Sequence, residues 1–370
     1  MGLSDRTGLT SPDDPASLLA PHHHLSGSRP QGHLDQLRDQ TRSLTLRVSM
    51  LSGELLNILR LFEAHHIPAI PYKGPVLAAS VYGDLAWLRQ FGDLDILVPK
   101  REVLRAKELL STHGYRPMWQ LFWGREKTYL RQTGAYTYNL YHDACRFKLE
   151  LHWDVTPAFR LDLEDLWERL EPISLAGTTV RGLSPEDTLL ILSVHGSDHL
   201  WSKLSMMGDI VELIRLHPEM KWQHVMDQAR TFGVTRMLWL GLRLARELLG
   251  TALPPDVLDR MESDPVATAL SMQLRQRLFG RTASPPGGVL QFRVRERWQD
   301  KGRYGFYYVQ WHLLTPHPED QEFFPLPRLL FPLYYILRPL RLATRYGWPY
   351  VQSLLQHLPS YLAGGRQRIG

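Results

Sequence analysis

Asp93 and Asp95 stand two residues apart at the head of a short apolar run, Asp93-Leu94-Asp95-Ile96-Leu97-Val98. Side chains alternate between the two faces of a strand, so this spacing sends both carboxylates to one face and Leu94 and Ile96 to the other. Two carboxylates held together repel unless a cation lies between them, and hard oxygen donors of this kind suit magnesium bound to substrate phosphates. A capped strand end or a pair of acids on an exposed turn has the same local sequence, so the surroundings of the pair carry the argument.

Upstream, Lys73-Gly74 closes one strand and opens a helix. Backbone N–H groups at that helix start could receive a phosphate, and glycine allows close approach. Lys73 could neutralise part of the phosphate charge, or cover a sheet edge with its stem. Downstream, Lys148-Leu149-Glu150-Leu151-His152-Trp153 alternates strictly and sets Glu150 and His152 on the face opposite Leu149, Leu151 and Trp153. Glu150 can then stand as a third carboxylate beside the pair. Three acids can hold two magnesium ions, which would position a nucleoside triphosphate, neutralise its developing charge and activate an attacking hydroxyl. Arg89, four residues before Asp93, has the planar fork that suits a phosphate, or is an ordinary surface arginine. His195 and His199 share a helix face at i and i+4, with Asp209 as a conceivable third ligand. The glutamate of the H-E-x-x-H pattern is missing between them, so a structural or substrate-contacting pair is expected rather than zinc.

The elements that must position these groups follow from periodicity. Leu51, Leu55, Ile58, Leu59 and Phe62 recur at helical spacing from Ser43 to about His65. Strands are expected at 67–72, 94–98, 115–119, 135–141 and 147–153, with helices from Val76 to Tyr82 and from Arg101 to His113. The pattern describes an α/β (α+β) domain around one mixed sheet over residues 43–177, with its N-terminal helix. Residues 178–282 read as an all-helical domain opened by Ser184-Pro185-Glu186-Asp187, an N-cap with proline and acids in the first turn. The run Ser284-Pro285-Pro286-Gly287-Gly288 then marks a linker into a C-terminal segment over 283–370. Residues 1–42, rich in Ser, Pro, Gly, Asp and His and including His22, His23 and His24, read as a disordered tail.

Bulk composition bounds the function classes. With 44% hydrophobic and 22% charged residues in 370, the chain matches a folded, soluble protein. Its net charge of +5 is too small to mark the whole chain as a nucleic-acid binder. From Gly287 onward eleven basic and five acidic residues give a local +6. The last part, from Phe323, interleaves six arginines with Tyr334, Tyr335, Tyr346, Trp348, Tyr350 and Tyr361. Such a face could meet nucleic acid or an anionic membrane, but prolines at 325, 327, 332, 339 and 349 favour a packed helical layer with solvated arginines. No apolar h-region follows Met1 and no run of about 18 uncharged apolar residues occurs, so neither a signal peptide nor a spanning helix is expected. The single cysteine, Cys145, excludes an intramolecular disulfide and points to a reducing compartment, the cytoplasm.

Together, Lys73-Gly74, Arg89, Gly92-Asp93-Leu94-Asp95-Ile96-Leu97-Val98, Glu150-Leu151-His152-Trp153, His195-Gly196-Ser197-Asp198-His199 and Asp209 resemble the uncharacterised nucleotidyltransferase family of the DNA polymerase beta-like superfamily. The resemblance covers about residues 45–220 and implies transfer of a nucleoside monophosphate from an NTP to an acceptor hydroxyl, with release of pyrophosphate. It implies that Asp93 and Asp95 ligate both magnesium ions, that Glu150 completes the site and helps deprotonate the acceptor, and that Lys73, Gly74, Arg89 and Gly92 serve the nucleotide. His152, His195, His199 and Asp209 are then candidate substrate contacts. Where the wider superfamily has a glycine-serine pair this chain has Lys73-Gly74, at a longer distance from Asp93. The alternative is a non-catalytic nucleotide-binding or partner-binding protein that keeps the fold. The acceptor stays open between a small molecule, a saccharide and a protein.

Overall fold

Alternating apolar side chains on short strands set the first layer of the fold. The computed structural model describes residues 30–83, 89, 91–118, 126–131, 135–144, 147–156, 164–280, 287–315, 320, 323–344 and 347. Two units divide the chain, residues 1–46 and 47–370. The first 29 residues of the expected tail, with its histidine triplet, lie outside the described residues, as does Cys145. Residues 30–42 are not tail but helix: α1 runs Pro30–Ala64. Its early part lacks an apolar period, which hid it, yet it contains strong helix formers without β-branching, such as Leu34, Gln36 and Arg38, with Asp35 and Arg38 paired one turn apart at 3.3 Å.

In the second unit the order is β1 (Ile70–Pro71), α2 (Gly74–Tyr82), β2 (Asp93–Leu97), a short 3-10 turn, α3 (Val103–Ser111), β3 (Tyr115–Pro117), α4 (Glu126–Arg131), β4 (Thr137–His142) and β5 (Phe147–His152). These strands form one mixed sheet in the order β1-β2-β5-β4-β3, in which β2 and β5 run parallel and the other neighbours antiparallel. One face is apolar: Leu94, Ile96, Tyr138, Leu140, Leu149 and Leu151 pack with Leu51, Leu55 and Phe62 of α1 and with Val103, Ala106 and Leu110 of α3. The other face carries the acids.

Helix α5 (Glu164–Glu168) leads to a hairpin of β6 (Glu171–Leu175) and β7 (Thr178–Gly182), whose turn, Ala176-Gly177, takes positive φ at both residues. The expected end of the sheet region at Gly177 therefore falls inside this hairpin. Helices α6 (Pro185–Asp198), α7 (Leu204–Leu216), α8 (Trp222–Phe232), α9 (Thr235–Leu249), α10 (Pro255–Glu262), α11 (Pro265–Leu278), α12 (Gly287–Val294) and α13 (Trp298–Tyr308) follow, and residues 334–344 are helical again. Ser184 caps α6 as its sequence indicates, its hydroxyl accepting from the Asp187 N–H at 3.1 Å. Ile70, Tyr72, Leu77 and Leu97 belong to the same apolar cluster as Leu189, Val194 and Ile210, so the acid-bearing side of the sheet and the helices share a core.

Trp201 fixes that helical layer. It is 1% exposed, and its ring lies so close to α6 and α9 that a Cβ on Gly196 would sit 2.5 Å from it and one on Gly241 2.9 Å. We expect Gly196→Ala to overpack this contact and cost about 1–3 kcal/mol in denaturant unfolding. Gly302→Ala in α13, where a Cβ meets nothing within 4 Å, should be neutral or stabilising. Equal stabilities for the two variants would contradict this packing.

Candidate active site

The parallel register of β2 and β5 sets Asp95 beside Glu150, Asp93 beside Lys148 and Leu97 beside His152. Because paired residues on neighbouring strands face the same way, Asp93, Asp95, Glu150 and His152 share the polar face. Ligand atoms of Asp95, Glu150 and His152 all lie within 4.8 Å of one another, a grouping of potential metal donors among the described residues.

In this arrangement the negative charge is met by the chain's own cations. Lys73 Nζ lies 2.7 Å from Asp95 Oδ1. His152 Nε2 is 3.1 Å from Asp95 Oδ1 and 3.1 Å from Glu150 Oε2, so one imidazole bridges the two carboxylates. Lys148, two residues before Glu150 on the same face, forms an ion pair with it. Burial alone would raise Asp95, but Lys73 and His152 outweigh it and hold that carboxyl far below the usual range. Glu150, against the same burial, is held at about 2 by His152 and Lys148. Burial would likewise lower His152, yet its hydrogen bonds to the two acids leave it above an ordinary histidine. Asp93 goes the other way: burial first, then the charges of Asp95 and Glu150, push it above the usual carboxylate value.

The surroundings fit a hard cation and a polar ligand. Tyr72 Oη, Thr137 Oγ1, Asn139 Oδ1 and His152 Nδ1 are buried without a hydrogen-bond partner among the described residues. Thr137 and Asn139 stand on β4 directly opposite His152 and Glu150. The ring of Tyr72 meets that of His152 edge-on at 5.3 Å, and Tyr136 lies 5.8 Å from it. Buried polar atoms left open in this way, most of them oxygens, suit an oxygen-coordinated ion with its water or phosphate.

Lys73 occupies the N-cap position of α2, and Gly74 opens the helix with φ +58°. A Cβ at Gly74 would stand 3.0 Å from the Asp93 carbonyl oxygen, so the glycine lets the helix start press against the acid strand. Gly92 lies in the stretch entering β2. His195, in α6, and His199, at its C-cap, place their rings 4.5 Å apart. Burial and then the Lys73 charge and the neighbouring imidazole push His195 well below an ordinary histidine, and burial lowers His199 too. Asp209 does not join them. Its carboxylate takes a two-pronged contact from Arg89 at 3.0–3.1 Å and a hydrogen bond from the Tyr82 hydroxyl at 3.0 Å. Arg89 and Asp209, read separately in the sequence, therefore meet each other and tie residue 89, shortly before β2, to α7.

Lys148, Thr137 and Asn139 were not singled out in the sequence; strand alternation sets Lys148 on the face of Glu150, whereas Thr137 and Asn139 reach it only through the β4–β5 register. Tyr72 and Tyr82 carried no such signal, since their contacts span 80 and 127 positions of sequence.

Two expectations follow from this geometry. Asp209→Asn strands a half-buried guanidinium and should cost about 2–4 kcal/mol, measured by denaturant unfolding, with less lost in Arg89→Lys. Because the folded value of His152 is raised, its contribution is complete below about pH 6.5 and disappears as the pH rises through the folded value. In chelator-treated protein the melting temperature gap between the parent and His152→Gln should thus narrow from mildly acidic to alkaline buffer; a gap that widens would refute the bridging imidazolium.

A family model described as uncharacterised nucleotidyltransferase matches residues 19–250, which include every site residue described above. No curated protein and no solved structure matches the chain. With more than half of its length matched, and with the two-strand acid cluster inside the match, the chain belongs to the uncharacterised nucleotidyltransferase family.

Proposed function

We propose that the protein moves a nucleoside monophosphate from an NTP to an acceptor hydroxyl in a magnesium-dependent reaction. The observation that carries this reading is the register of Asp95 against Glu150 with Asp93 on the same face. Asp93, Asp95 and Glu150 would hold two magnesium ions, which supply charge neutralisation at the triphosphate and lower the pKa of the attacking hydroxyl. Asp93, whose carboxyl is pushed up by burial and by the charges of Asp95 and Glu150, would gain most from added positive charge.

The acceptor oxygen attacks the α-phosphorus, the bond from that phosphorus to the bridging oxygen breaks, and pyrophosphate leaves with the bond pair. Glu150 takes the acceptor proton. With metal held by the acids, Lys73 would be released from Asp95 and its ammonium would serve the triphosphate at the start of α2, where Gly74 adds no side chain. Arg89, clasped on Asp209, and Gly92 stand just before β2, on the chain's way to the acids. His195 and His199, neutral at pH 7, and His152 offer hydrogen bonds to substrate without adding positive charge beyond the bridging imidazole. A cytoplasmic setting fits a chain with one cysteine.

Incubation with each of the four NTPs, with and without magnesium and across an acceptor panel, tests the proposal. Magnesium-dependent binding and pyrophosphate release should fall at least about 100-fold in Asp93→Ala and Asp95→Ala. Variants that fold normally and bind Mg-NTP as tightly as the parent would remove the metal assignment. Binding without pyrophosphate release on any acceptor would point to a non-catalytic nucleotide-binding protein.

A further inference from the structure

The helix at 334–344 is built inside out. Arg338 and Arg341 are buried, each with a guanidinium nitrogen 2.7 Å from the Asp320 carboxylate, which is itself 1% exposed. Tyr334, in the first turn, is buried as well. The opposite side carries Leu333, Ile336 and Leu340, at i, i+3 and i+7, and the last two are 62% and 58% exposed. The sequence pointed to solvated arginines here, and the structure buries two of them. A helix facing water does the reverse, since burying a charge costs desolvation and exposing a leucine row gains nothing. The pattern is consistent with an apolar medium over the leucine row.

A second surface names the charge of that medium. On α13 and the turn after it, Trp298 is 79% exposed and Phe306 60%, with Val309 and Leu313 also outward. Lys301 Nζ lies 4.9 Å from the Trp298 ring and 5.6 Å from that of Phe292. Arg297 and Arg303 are exposed; Arg303 pairs with the buried Asp300 at 3.5 Å, and Arg297 donates to the Arg230 and Thr231 carbonyls, so Lys301 is the cation laid along the aromatics. Outward aromatics with cations whose stems lie along them are the composition of a helix resting among anionic lipid headgroups. A second copy of the chain would set the same cations against each other.

We propose that the C-terminal region, through the outer faces of α13 and of residues 334–344, lies on a membrane leaflet with anionic headgroups. It rests on the surface rather than crossing it: no described helix is long and apolar enough to span, and residues 334–344 make only about three turns. This inference is independent of the nucleotidyl-transfer reading.

The test is sedimentation of the full chain with phosphatidylcholine vesicles and with vesicles of phosphatidylcholine and phosphatidylglycerol. The chain should bind the anionic vesicles, and less at high salt. The double variant Ile336→Glu/Leu340→Glu should partition at least about tenfold more weakly, because each side chain loses its apolar burial. Trp298→Ala should weaken binding as well. Both variants should keep the parent's melting temperature and its Mg-NTP binding. Failure to bind either vesicle, or unaltered binding by the two variants, would overturn the proposal. So would a dimer in sedimentation analysis that the Ile336→Glu/Leu340→Glu change dissolves, since the leucine row would then belong to a second copy.

Discussion

Three carboxylates on one face of a sheet repel, and the structure around them is arranged to contain that repulsion. Asp95 and Glu150 are fixed side by side by the β2–β5 register, with Asp93 one pleat away. Water cannot screen them well at this depth, so the chain brings positive charge instead: Lys73 from the start of α2, Lys148 from the same strand, and an imidazole bridging both acids. On the proposed reading a metal ion would take the place of part of this set, delivering more charge to the same oxygens and leaving Lys73 for the substrate.

The neighbouring elements serve the same constraint. Gly74 has no side chain because α2 must start against the Asp93 carbonyl, which is what brings Lys73 within reach of Asp95. The clasp of Arg89 and Tyr82 on Asp209 holds the approach to β2 against the helical layer. Trp201, wedged between Gly196 and Gly241, sets the level of α6 and with it the two neutral histidines. Keeping those imidazoles uncharged avoids adding cations where Lys73 already stands.

Much of this was legible in the sequence wherever a short period carried it. Alternation in Asp93–Val98 and Lys148–Trp153 identified the strands and the shared face of their acids, and Ser184-Pro185 marked the start of α6. Pairings across distant segments were not legible. Nothing local shows that Arg89 grips Asp209, or that Arg338 and Arg341 turn inward to Asp320, because such contacts depend on how helices pack. The helix before Ser43 escaped for a different reason: it rests on intrinsic propensity and lacks an apolar stripe, and periodicity senses only the stripe.

On the proposed reading the acid cluster is a metal site whose resident counter-ion is Lys73. A crystal structure of the protein with magnesium and a non-hydrolysable NTP analogue tests it most directly. The account predicts an ion coordinated by Asp93, Asp95 and Glu150 at about 2.1 Å, with Lys73 turned from Asp95 to the phosphates. A nucleotide bound elsewhere, with the Lys73–Asp95 contact intact and no ion between the strands, would contradict it.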